Sequence, residues 1–89
     1  MRAIVSVFGK DKIGIMCEVT SMCSKYNANI IDINQTIIED YFAMIMVVDI
    51  DKLNCDFIDF VDKMSVTGEQ KGLKIHVMHE EIFDMMHKI

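Results

Sequence analysis

The sequence predicts an α+β fold: one four-stranded antiparallel sheet, two helices on one of its faces, and a short C-terminal helix. Three observations carry this expectation. Apolar runs of strand length alternate with segments whose apolar residues recur every three or four positions, in the order strand, helix, strand, strand, helix, strand, helix. Turn-forming residues separate them: Gly9 and Gly14, Asn27-Ala28-Asn29, Glu39-Asp40, and Gly72. Each strand–helix–strand half needs a right-handed crossover, and two interlocked halves leave one sheet face without helices.

The first strand is read over about Arg2 to Phe8, followed by the loop Gly9-Lys10-Asp11-Lys12-Ile13-Gly14. The first helix spans about Gly14 to Lys25 and buries Ile15, Val19, Met22, Cys23 and Tyr26. Asn27-Ala28-Asn29 ends it, asparagine being tolerant of a left-handed backbone. Ile30 to Ile38 reads as the second strand and Glu39-Asp40 as a tight turn. The third strand, about Tyr41 to Ile50, is almost continuously apolar, which predicts an interior strand with both faces covered.

Asn54 or Asp56 is the expected cap of the second helix, which turns Phe57, Phe60, Val61 and Met64 inward. Gly68 weakens its last turns and Gly72 is its expected stop. Leu73 to His79 alternates as a fourth strand. Glu80 to Lys88 follows as a short amphipathic helix with Ile82, Phe83, Met86 and Ile89 on one side. The whole is a ferredoxin-like βαββαβ core over residues 1–79 with a C-terminal helix over 80–89, in a single domain of 89 residues.

Apolar residues make up 52% of the chain, including nine methionines and five phenylalanines. On the first strand Ile4 and Phe8 share one face while Ala3, Val5 and Val7 share the other, so burying one set exposes the other. A partner subunit or the terminal helix must cover the remainder, and a homodimer is expected. The net charge of −5, with scattered Lys and Arg, argues against nucleic-acid binding. No apolar run is long enough to cross a bilayer, and the first residues do not form a signal peptide. Three cysteines without a disulfide framework fit a reducing compartment, so the cytoplasm is the expected location.

The loop after the first strand is the most informative stretch for function. Gly9 and Gly14 allow sharp turning, and a helix start leaves several N–H groups without intrahelical partners. With the positive end of the helix dipole and the flanking lysines, these donors suit a small anion such as a carboxylate. The loop contains no nucleophile–base pair and no complete phosphate-binding fingerprint. It is built to hold something small; no catalytic residue and no cofactor are assigned.

The first strand, Asp11-Lys12-Ile13-Gly14-Ile15, the following helix, Asn27-Ala28-Asn29-Ile30 and Asp32 together resemble the ACT domain, a small-molecule sensor of amino-acid metabolism. The tail Ile82-Phe83-Asp84-Met85-Met86-His87-Lys88-Ile89 resembles the end of uncharacterised stand-alone ACT proteins. Ile13 stands where proline is common in that family. The resemblance implies paired subunits, side by side or face to face, with an effector between the loop of one and the second strand of the other. It points to Asp11, Lys12, Gly14, Ile15 and Met16 on one side, and to Asn29, Ile30 and Ile31 on the other. Main-chain N–H groups near Gly14 would take an α-carboxylate and Asp11 or Asn29 an ammonium. Met16 and Ile31 would line an apolar pocket.

Other functions of the same scaffold fit less well. A heavy-metal carrier needs paired thiolates in the first loop, whereas Cys17 and Cys23 lie a turn and a half apart on a helix and diverge. An acylphosphatase-like enzyme needs an arginine beside a glycine-rich cradle, and the single arginine, Arg2, is on the strand itself. An RNA-recognition domain needs aromatic and basic residues on its central strands, where this chain is aliphatic and methionine-rich. His76 and His79 fall on opposite strand faces, and with His87 they read as solvated or hydrogen-bonded groups. Cys17 reads as a packing residue, Lys10-Asp11-Lys12 as a solvated loop or ligand contact. The expected protein is an amino-acid-binding regulatory module; the alternative is a ligand-free module acting by contact with an unknown protein partner.

Overall fold

The computed structural model of the chain describes residues 1–10 and 14–86, without the side chain of residue 86. Its elements are β1 (Arg2–Lys10), α1 (Ile15–Lys25), β2 (Asn29–Ile38), β3 (Tyr41–Asp49), α2 (Phe57–Gln70), β4 (Lys74–His79) and α3 (Glu80–Met86). All strand pairs are antiparallel, in the lateral order β2-β3-β1-β4. This is the predicted ferredoxin-like arrangement with a terminal helix added. β1 runs past Phe8 because Gly9 and Lys10 pair with Phe42 and Tyr41. The continuation of α3 into residues 87–89 lies outside the described residues.

Both long helices end the way the turn residues predict, in Schellman motifs. After α1, Asn27 takes a left-handed φ of 63°, and the Ala28 N–H donates to the Cys23 carbonyl at 2.8 Å. After α2, Gly72 takes a φ of 72°, and the Leu73 N–H donates to the Gly68 carbonyl at 2.7 Å. Asp56 is the N-cap residue of α2. Asn54 serves a different end: its Nδ2 donates to the Lys25 carbonyl at 2.8 Å, while Asn27 Nδ2 donates to the Lys52 carbonyl at 2.7 Å. These reciprocal amides fasten the end of α1 to the connection between β3 and α2.

The core lies between the sheet and α1 and α2. Ala3, Val5 and Val7 of β1, Met44, Met46 and Val48 of β3, Val19 and Cys23 of α1, and Phe60 and Met64 of α2 are all fully buried. Tyr26 meets Phe60 edge-on, with ring centroids 6.1 Å apart. Burial pushes the Cys23 thiol up to about 11. Because the folded state holds that proton, this thiol's contribution to stability is fully present below pH 9 and is lost as pH rises toward 11. Denaturant titrations across that window are expected to show a loss of about 1.4 kcal/mol per pH unit. Cys23→Ala is expected to remove that part of the slope; an identical slope in the variant would refute the assignment.

Within the single chain, the face away from α1 and α2 is only partly covered. β3 is interior laterally, but Ile45 on its outer face is 44% exposed, and Phe8 beside it 48%. The terminal helix covers one end. α3 begins directly after β4, packs against β1 and β4, and is tied by an Arg2–Glu80 ion pair at 2.8 Å. Ile4, which points to this face, is accordingly buried.

Candidate ligand site

The residues singled out in the sequence flank the two ends of α1. At its start Gly14 has a φ of 86°, a conformation strained for any side chain, and the helix has no side-chain cap. Among the described residues no side chain caps its first N–H groups, the kind of donor that suits an anion. A hollow of about 570 Å³ opens here, lined by Gly14, Ile15, Met16, Cys17, Ile37 and Phe42, with Thr20 at its far side. Ile15 and Phe42 belong to the core, whereas Met16 is half-buried and Ile37 is 59% exposed. Cys17 is exposed on the rim, which corrects its reading as a packing residue.

Asn29 and Ile30 line a second, more polar hollow of about 690 Å³ at the other end of α1, with Thr20, Ser24, Asp49 and Asp51. Its carboxylates are engaged: Asp51 accepts from the Met1 ammonium at 2.6 Å, and Asp49 accepts the Asp51 N–H at 2.9 Å. The Met1 amine is raised above its ordinary pKa, chiefly by the hydrogen bond to Asp51. Ile31 is exposed and sits in a β-bulge, where Ile30 and Ile31 together stand opposite Val48.

The two groups are thus not brought together within one chain. Gly14 and Asn29 are separated by the length of α1, 11 residues or about 16 Å. Thr20 of α1 lines both hollows. Asp11 and Lys12, the remaining expected ligand residues, lie outside the described residues. Sequence reading missed Ile37 and Phe42 as lining residues. They are far from the loop in sequence, and only the pairing of β2 with β3 sets them side by side.

Among the described residues no three His, Cys, Asp or Glu side chains are placed to hold a metal. His76 is exposed on the open sheet face, whereas His79 turns to the other side, its ring 5.9 Å from that of Phe57. No helix among the described residues is long and apolar enough to cross a membrane.

Comparison with known proteins agrees with this fold. The ACT domain model matches residues 2–78. The chain belongs to the ACT domain family. A UPF0237 protein of Methanococcus maripaludis is 48% identical over 86 residues, which are 97% of this chain and 96% of that protein. A UPF0237 protein of Listeria innocua is 40% identical over 89 residues and the full length of both. The structure of an ACT domain protein from Streptococcus pneumoniae is similar with a TM-score of 0.83 at 36% identity, over 94% of each chain. The ACT family is a non-catalytic regulatory module with a ligand-binding role, and this chain carries its fold from β1 to β4.

Proposed function

We propose that this ACT-domain chain is an amino-acid sensor that works as a homodimer, with the effector held between the start of α1 in one subunit and β2 of the other. The observation that carries the reading is the division of the site. The hollow at Gly14 lies at the N–H groups that open α1 and has an apolar wall of Met16 and, from β2, Ile37. Asn29, Ile30 and Ile31 lie a helix length away, at a strand edge a second subunit could reach. Gly14 and neighbouring amides take the carboxylate, Asp11 or Asn29 the ammonium, and Met16 and Ile31 the side chain. Lys12 adds positive charge. Ligand binding then changes pairing or the surface offered to a partner, to the extent that the two states bind it unequally. The free thiols Cys17, Cys23 and Cys55 support placement in a reducing cytoplasm.

Thermal melting in the presence of each of the twenty amino acids tests this. An effector present at a hundred times its dissociation constant is expected to stabilise the folded form by about 2.7 kcal/mol. Gly14→Val is expected to abolish the response, because a side chain is strained at φ 86° and stands beside the amides. A flat response to every amino acid would overturn the sensor reading. It would leave the alternative, a ligand-free module acting through its exposed apolar sheet face, where Phe8, Tyr41 and Ile45 lie.

A further inference from the structure

Strand register gives the sheet face away from α1 and α2 a pattern of charge that the sequence alone does not show. Ile38, Tyr41, Ala43, Phe8 and Ile45 form an apolar stripe across β2, β3 and β1, and all but Ala43 are exposed. On the β4 side of the stripe, Lys10 pairs with Tyr41, Lys74 with Phe8, and His76 stands beyond Ser6; all three are exposed. On the β2 side stand the uncharged Thr36 and Asn34. These rows hold two lysines and no carboxylate, in a chain whose net charge is −5. The ion pairs among the described residues use Met1, Arg2 and Lys71 as their cations, so none of them neutralises Lys10 or Lys74. Glu39 and Asp40 occupy the turn between β2 and β3, so an incoming carboxylate is repelled at that corner and drawn to the β4 side. The stripe is also indented: a hollow of about 900 Å³ has Phe8, Lys10, Tyr41, Lys74 and His76 in its lining.

The chain itself shows what this face accepts. α3 lies at the other end of the face, against β1 and β4, and the Arg2–Glu80 ion pair holds it at 2.8 Å. Its sequence, Glu80-Glu81-Ile82-Phe83-Asp84-Met85-Met86, joins carboxylates to apolar residues and contains no cation. The part left uncovered runs about 13 Å along β1, from Ser6 to Lys10, and about 14 Å across the four strands. One more helix, about 10–12 Å thick, fills that space. A second copy of the same face would bring further lysines and no carboxylate to meet them.

We propose that this part of the sheet docks an acidic amphipathic helix of a partner protein, laid beside α3, with its apolar side on Phe8, Tyr41 and Ile45 and its carboxylates against Lys10 and Lys74. The exposed rings are the anchors, filled by apolar residues at helical spacing on the partner. The lysines, at one border only, fix which way round the helix lies. The proposal goes beyond the effector site and does not depend on it, because that site lies on the α1 side of the sheet.

Fluorescence anisotropy with three labelled helical peptides of about 15 residues tests this. All three carry Leu and Phe at helical spacing, and they differ only in a flank of glutamate, glutamine or lysine. The glutamate peptide is expected to bind at least about tenfold more tightly than the lysine peptide, and to weaken as salt is raised. Lys10→Glu combined with Lys74→Glu is expected to reverse that preference, and Phe8→Ser to weaken binding of every peptide. These side chains are exposed, so unchanged melting of the variants is expected and separates lost binding from lost folding. Equal binding of the three peptides, no binding of any, or an unaltered preference after charge reversal would overturn the proposal. So would binding of a uridine oligonucleotide in place of the peptides, or a homodimer that dissociates on Ile45→Asp, which would put a second copy on this face. The amino-acid melting series reads the other site: a flat series with the expected peptide preference removes the sensor and leaves this surface, and the converse removes this surface alone.

Discussion

Phe60→Ala is expected to lower the stability of the folded chain by about 3–5 kcal/mol, measured by urea denaturation followed by circular dichroism. Phe60 is fully buried where α2 packs on the sheet, and its ring makes a T-shaped contact with that of Tyr26 at the end of α1. Truncation therefore opens a cavity and removes the aromatic contact joining the two helices. Native domains hold only about 5–15 kcal/mol in total, so the loss is a large share of what keeps the chain folded. For a domain of this size it corresponds to about 4–8 °C of melting temperature per kcal/mol. A loss under 1 kcal/mol would mean that the cavity collapses and that the packing between α2 and the sheet is not as described.

Gly68→Val is the second large effect, and its sign runs against helix propensity. Valine is a better helix former than glycine, by about 0.5 kcal/mol or less. Yet a Cβ at residue 68 would lie 2.8 Å from Ile75 Cγ1, 2.9 Å from its Cδ1 and 3.2 Å from the Leu73 carbonyl. The glycine is buried where α2 packs on β4, and the same residue accepts the Leu73 N–H that closes the helix. Overpacking of this kind costs about 1–3 kcal/mol, so net destabilisation is expected. Val66→Ala on the exposed side of α2 is expected to change stability by about 0.5 kcal/mol or less. A Gly68→Val protein as stable as the parent would contradict the close approach of α2 to β4.

Gly68 shows where sequence reading stops. In the chain alone it looks like a weak point near the end of a helix; in the fold it is a contact between α2 and a strand that begins at Lys74. Elements set by local chemistry were legible: the left-handed Asn27 and Gly72, the turn at Glu39 with φ 56°, and the inward stripe of α1. The alternation of β1 gave its buried face correctly. What was not legible depended on lateral neighbours. The apolar run of β3 reads as a strand covered on both faces, because nothing in periodicity distinguishes a face closed by its own chain from one closed by something else. The candidate site divides along the same line. Its loop half was visible as glycines before a helix, while its second wall at Ile37 and Phe42 arises from strand pairing.

The strand order has a consequence for how such a chain comes off the ribosome. β1 is made first, yet it ends up flanked by β3 on one side and β4 on the other. From its last residue, Lys10, to the end of β4 at His79, 69 further residues must be translated before both flanks exist. The middle strand of the sheet is therefore synthesised well before both of its neighbours, and the nascent polypeptide carries that apolar segment without its native flanks while those residues are added.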